Sequence, residues 1–364
     1  MDKFNHYMLT LARESRGLTQ GALSDLVNVG QGTVSKYENG ISEPPDSFVS
    51  ELSRALGYPV SFFHQQGQAY GFPPFHYRRR KKLSAKALGR IVAEMNIRRM
   101  HVSRLAVAYK FAEGFTIPEI DLDEYQGRSL RAASMDDYAR SVREAWMLPN
   151  GPIENMVELI ERSGGIVIPC EFGTDLLDAM SQRIDGMPVL FFVNTNSPTD
   201  RVRYTLAHEL AHMILHTATL KDDEDMEDEA DQFAGAFLLP EQEIRVQLRR
   251  FDLHRLANMK AHWKVSMQAI ATRASRLGLI TPHQSKMFWI EMGKLGYRKR
   301  EPNPPPKEAP KLLQRMVDFH RKRLGYSDAE LADLLRLSET EFQSMYAPNA
   351  LILDDSPQYL RRVK

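Results

Sequence analysis

A single cysteine, Cys170, stands in the 364 residues, so an internal disulfide is excluded and a reducing compartment, the cytoplasm, is expected. No apolar run approaches the roughly 18 residues that cross a bilayer. The charged Asp2 and Lys3 are followed by no apolar core of signal length, so neither export nor membrane spanning is indicated. A glycine-rich phosphate loop and a serine or cysteine nucleophile pattern are both missing, which argues against nucleotide chemistry and covalent acyl transfer. No internal repeat stands out. An excess of one charge is also lacking: 48 Lys and Arg against 47 Asp and Glu leave a net charge of +1. That balance conceals strong segregation along the chain, whose length allows two or three domains.

What is present centres on residues 201–216, RVRYTLAHELAHMILH. On a helix, at about 100° per residue, His208, His212, His216 and Glu209 share one narrow face. Leu206, Leu210, Met213, Ile214 and Leu215 spread over the remaining arc. Two histidines one turn apart can both reach one zinc ion, while Glu209 lies too far round to ligate easily but close enough to serve as a general base. An open catalytic site needs a third protein ligand, and residues 227–240, EDEADQFAGAFLLP, offer it. Glu229 is the expected ligand, held at the edge of the core by a helix whose Phe233 and Phe237 lie on its side. Asp225, Glu227 and Asp228 are rivals that the spacing leaves open, and His216 reads as a surface histidine or a supporting contact.

These motifs, with the strand-like MPVLFFVNTN at 187–196 and the flanking segments 136–169 and 262–281, resemble the ImmA/IrrE family of zinc metallopeptidases. The resemblance implies a gluzincin-like site with His208, His212 and Glu229 as ligands of Zn2+ and Glu209 as base, acting on a bacterial repressor protein. Ala211 departs from the glycine of many members.

Residues 4–64 read as a small helical module. Thr19 suits the cap of a second helix, Gly30 a tight turn, and Asn39 with Gly40 a helix end. Leu23, Leu26, Val29 and Val34 are its expected core. From Leu18 to Pro44 the pattern resembles the helix-turn-helix of phage-repressor-type (XRE) regulators. That resemblance implies that Gln31, Thr33, Ser35 and Lys36 face bases and phosphates in the major groove and that Gln20 meets the backbone. Gly32 leaves one reading position without a side chain.

A basic block follows. Arg78, Arg79, Arg80, Lys81, Lys82, Lys86, Arg90, Arg98, Arg99 and Arg104 face a single acid, Glu94, a density that favours phosphate contact. The first five are candidate nucleic-acid contacts, on duplex or on a single strand with His76 and Tyr77 stacking; a solvated connecting helix is the plainer reading.

From 136 onward, helices near 138–146 and 153–161 precede strands at 166–169 and 189–194. Residues 253–277 resemble a further helix pair, EPNPPPKEAP at 301–310 reads as a stiff linker, and capping boxes at Ser327 and Ser338 start short helices in a docking or dimerising tail. Arg201 and Arg203 read as surface charges or substrate contacts.

The expected architecture is multidomain and mainly α. It comprises a helix-turn-helix domain (1–66), a basic helical connector (67–135), an α+β metallopeptidase core (136–245), a helix-turn-helix-like region (246–300), the linker (301–310) and a helical tail (311–364). The expected function is a cytoplasmic DNA-binding regulator with a zinc-dependent endopeptidase domain that cleaves a repressor after stress or a DNA signal. Double-stranded DNA, a repressor substrate, a single-stranded DNA effector and a second copy of the chain are the partners it allows. The alternative is a transcriptional repressor or antitoxin-like protein whose peptidase-like domain senses a ligand or partner without proteolysis.

Overall fold

Asn5 opens the chain's first helix by accepting a hydrogen bond from the Tyr7 backbone, and α1 runs His6–Ser15. The computed structural model describes residues 3–66, 83–111, 116–120, 133–216 and 223–346. Thr19 caps α2 (Gln20–Leu26), as its type predicts. The turn into α3 (Gln31–Glu38) is made by Asn28, in the left-handed region at φ 50°. Gly30, expected to permit that turn, sits at φ −71°, where any residue fits. Leu23 and Val34 are buried, but Leu26 is 59 % exposed and Val27 takes the inward place. α4 (Asp46–Leu56) ends at Gly57 in the left-handed conformation, and a 3-10 turn (Val60–His64) closes the module.

The long helix α5 (Ala85–Ala106), capped by Ser84, packs along α1. α6 (Met135–Ala145) starts in a capping box of Ser134 and Asp137, and α7 (Met156–Arg162) is capped by Asn155. Gly164 then turns the chain at φ 81° into β1 (Gly165–Cys170). At Gly165 a Cβ would come within 2.7 Å of Ile160, so the helix and the strand meet too closely for a side chain.

The sheet has the order β1-β3-β2. β3 (Val189–Asn194) runs parallel to β1 and antiparallel to β2 (Ala179–Gln182). Sequence reading anticipates β1 and β3 but not β2, whose residues AMSQ carry no β-branched signal. The two sheet faces serve different cores, as expected for strands buried on both sides. Val167, Ala179, Val189, Phe191 and Val193 join the core that contains the HELAH helix α8 (Thr199–Leu215). Ile166, Ile168, Met180, Leu190 and Phe192 join α1 to α5 and the C-terminal helices in the other.

α8 is followed by α9 (Asp223–Leu238), which packs alongside it, then α10 (Glu241–Gln247), α11 (Leu253–Trp263), α12 (Met267–Arg276) and α13 (Pro282–Lys294). Lys264, at φ 57°, makes the turn between α11 and α12. Three further helices complete the described chain: α14 (Leu312–Arg323), α15 (Asp328–Leu335) and α16 (Glu339–Tyr346).

Residues 301–310, expected as a linker, are instead strapped onto the molecule. Glu301 accepts from Lys260 Nζ at 3.0 Å and from the Met267 backbone at 2.7 Å. Glu308 accepts from the Met156 and Val157 backbones at 2.8 and 3.1 Å and pairs with Arg203. Two carboxylates thus satisfy the orphan N–H groups of α7 and α12. Arg203 is fully buried in that strap, bonded also to the Ile153 carbonyl, so it is neither surface charge nor substrate contact. Within the helix pair expected at 253–277, Lys260 and Arg273 point inward, Lys260 onto Asp200 and Glu301 and Arg273 onto Asp136 and the Leu239 carbonyl. Burial and pairing of these two cations ties the pair to the peptidase-like core.

Candidate metal centre and nucleic-acid interface

α8 buries its polar face almost entirely: His208, Glu209, His212 and His216 are all at most 4 % exposed. Such a set is costly to desolvate unless it is paired, and the pairing follows from how α9 returns along α8. His212 faces Glu227, and His208, one turn back on α8, faces Asp231, one turn on in α9. The Nε2 atoms of His208 and His212 lie 3.1 Å apart. A Glu227 oxygen lies 3.3 Å from the second and 3.8 Å from the first. Atoms of these three residues all fall within 4.8 Å of one another, so they form a group that would hold a metal ion.

Hydrogen bonds behind the rings support that fit. Asp231 Oδ1 lies 2.9 Å from His208 Nδ1. Burial raises the pKa of the Asp231 carboxyl, but the hydrogen bond and charge of His208 outweigh it and hold the group below its ordinary value. An ionised carboxylate only accepts, so His208 Nδ1 carries a proton, and in the neutral ring Nε2 then presents the lone pair. On the other side, Glu229 Oε2 lies 3.0 Å from His216 Nε2, and His216 Nδ1 lies 2.9 Å from His212 Nδ1. A carboxylate accepting from His216 Nε2 leaves His216 Nδ1 to accept from His212, so a neutral His212 carries its proton on Nδ1 and its lone pair on Nε2. Two imidazole lone pairs and a carboxylate oxygen therefore converge, a donor set suited to zinc.

Glu229, expected as the third ligand, lies outside that group. Its carboxylate is engaged with His216, two positions along α9 from Glu227 and on another side of the helix. Asp225 and Asp228 are exposed, and Asp228 pairs with Arg276. The remaining member of that polar face, Glu209, is held from β2: Ser181 Oγ donates to Glu209 Oε2 at 2.8 Å. Neither Ser181 nor Asp231 is legible as a site residue in the sequence, because each depends on which strand or helix face meets α8.

Comparison with known families now bears on both halves of the chain. A peptidase family model, described as the IrrE N-terminal-like domain, matches residues 161–275, and a helix-turn-helix model matches residues 9–63. The chain joins a helix-turn-helix domain to an IrrE N-terminal-like peptidase domain. No curated protein matches the chain. The peptidase match holds the whole sheet, α8 and α9, and so every member of the candidate metal group. The family is one of metallopeptidases.

In the helix-turn-helix domain, Gln31 and Lys36 of α3 are exposed, while Thr33 and Ser35 are half-buried. Ser35 Oγ accepts from Asn39 Nδ2 at 3.3 Å. Gln20 is drawn inward: its Nε2 donates to Glu38 Oε2 at 2.8 Å, and Glu38 also accepts from Arg13 at 2.5 and 3.0 Å. Gln31 and Lys36 thus stay exposed on α3, while Gln20 ties α2 to the end of α3. Arg78, Arg79, Arg80, Lys81 and Lys82 lie outside the described residues. No described helix is long and apolar enough to cross a membrane.

Proposed function

We propose that this DNA-binding regulator is a zinc-dependent endopeptidase that cleaves a repressor protein in response to stress or a DNA signal, releasing the genes that repressor holds. The observation that carries the reading is the convergence of the His208 and His212 lone pairs with Glu227, set by Asp231 on one side and by His216 with Glu229 on the other. When bound there, zinc supplies Lewis-acid polarisation of a peptide carbonyl and of water. Glu209 is the general base: with Oε2 occupied by Ser181, it takes the proton of the attacking water and passes it to the leaving amine. β2 is an edge strand of the described sheet, packed against α8, and offers a backbone along which an extended substrate segment would pair. Gln31, Thr33, Ser35 and Lys36 are the proposed duplex contacts, and a single-stranded DNA effector and a homodimer remain part of the proposal.

The deciding experiment incubates the zinc-loaded protein with candidate repressor proteins, with and without single-stranded and duplex DNA, alongside Glu209→Gln. Cleavage at one site by the wild type and not by the variant is expected. Cleavage by both would remove Glu209 from the chemistry, and cleavage by neither, with duplex binding intact, would leave a sensor without proteolysis.

A further inference from the structure

The first and last parts of the chain repeat one another at a spacing of 308 positions. α1 ends at Ser15 and α14 at Arg323, α2 begins at Gln20 and α15 at Asp328, and α3 (Gln31–Glu38) falls on α16 (Glu339–Tyr346). The caps coincide: Thr19 accepts from Ala22, three residues on, and Ser327 accepts from Glu330. So do the left-handed residues, Gly17 with Gly325 and Asn28 (φ 50°) with Arg336 (φ 58°). The turn bond from Val29 N to Ser24 O, 3.0 Å, recurs from Leu337 N to Ala332 O, 2.9 Å.

Packing repeats as well. Met8 and Met316, Leu23 and Leu331, and Val34 and Phe342 are paired buried positions. Arg13 ties the first helix of its unit to the last through Glu38. At the matching position Arg321 bonds Asp328 and lies over the Phe342 ring. Only a few pairs are identical, Met8, Arg13, Gly17, Leu23, Asp25 and Leu26 with their counterparts, which is why the repeat is faint in the sequence.

The second unit differs where the first would meet DNA. Gln31 is replaced by Glu339, Thr33 by Glu341 and Lys36 by Ser344. The carboxylates of Glu339 and Glu341 repel phosphates instead of releasing their counterions, and Ser344 brings no charge in place of Lys36. One of them has found a cation within the chain: Glu341 Oε1 lies 2.8 Å from an Arg16 nitrogen. Arg16 is itself fixed at the base of the first unit, bonded to the Leu56 carbonyl and stacked over Tyr58. Tyr346, at the end of α16, is fully buried with its hydroxyl 2.7 Å from His101 Nδ1 on α5.

We propose that residues 312–346 are a second helix-turn-helix unit that has exchanged DNA for the first unit as its partner: its reading helix braces the DNA-binding domain through Glu341 and Arg16 and is anchored to α5 by Tyr346. The inference is independent of peptidase activity.

Two measurements on the full chain test it. In the first, Arg16→Glu and Glu341→Arg are made singly and together, and hydrogen exchange of the α1 amides is followed. Each single variant loses protection on the order of fivefold, and the pair restores it. A double variant no better than the singles would overturn the brace. In the second, a photo-crosslinking amino acid is placed at position 36 or at 344, the matching site of the second unit, and a random-sequence duplex is added. A cross-link from 36 and none from 344 is expected. A cross-link from 344 as strong as that from 36 would show a working second reader and sink the exchange of partner. Failure at both positions would count against DNA binding by the first unit, leaving the charge swap to decide the brace.

Discussion

The Nδ1 atoms of His212 and His216 lie 2.9 Å apart, and the far nitrogen of His216 lies 3.0 Å from Glu229. His216, the residue that closes α8, therefore stands behind the candidate metal group as a link between a carboxylate and the His212 ring. A ring orientation fixed from behind is worth about 10- to 100-fold in metal affinity.

Glu227 and Glu229 should separate in a zinc competition titration. Glu227→Gln loses tight stoichiometric binding, whereas Glu229→Gln retains one zinc per chain with affinity reduced about 10- to 100-fold. The reverse order would return Glu229 to the ligand set.

Ser181→Ala removes the donor to Glu209 Oε2 without touching the metal group. Zinc affinity should stay at the wild-type value while kcat on a cleaved repressor falls about 10- to 100-fold through misplacement of the base. An unchanged kcat would mean that packing alone positions Glu209.

His101 is buried, and desolvation first, then the charges of Arg98 and Arg104, hold its pKa well below 6.5. The folded state thus keeps it neutral while the unfolded chain protonates it. Its contribution is fully present above about pH 6.5 and is lost as pH falls below that value toward the lower folded pKa, at a limiting slope of about 1.4 kcal/mol per pH unit. Denaturant titrations between pH 7 and 5 should show this slope, and His101→Gln should flatten it. Equal slopes in both proteins would refute the assignment.

Lys260 is buried between Asp200, at the start of α8, and Glu301, in the proline-rich strap. Lys260→Met leaves two carboxylates without their shared cation and should cost about 3 to 5 kcal/mol in chemical denaturation. A cost under about 1 kcal/mol would mean that the strap holds through Glu308 and through the α12 backbone bonds to Glu301.

Lys36→Ala should lower the salt slope of duplex binding, measured by fluorescence anisotropy, by about 0.9, the loss of one phosphate contact. A slope equal to that of the wild type would take Lys36 off the interface.

Local patterns carried far in this chain because some structural choices are local. The HELAH spacing places two imidazoles and a carboxylate on one helix face whatever surrounds it. Thr19, Asn39 and Gly40 likewise mark helix ends by side-chain and backbone chemistry that acts within a few residues. Leu26 misled for a related reason: apolar character alone does not say whether it or its neighbour Val27 turns inward.

By itself, then, the amino-acid sequence determined that a zinc-type helix and a helix-turn-helix share one chain, since each is written in spacings shorter than two helical turns. Tertiary structure decided which acid meets the histidines, through the register of α9 on α8, and it brought Ser181 beneath Glu209 by adding the short strand β2. It also turned the proline-rich segment into a strap and set the tail's helices at the same spacing as those of the first unit. These are contacts between residues tens to hundreds of positions apart, where packing and charge pairing in three dimensions choose among partners that the linear pattern leaves equal.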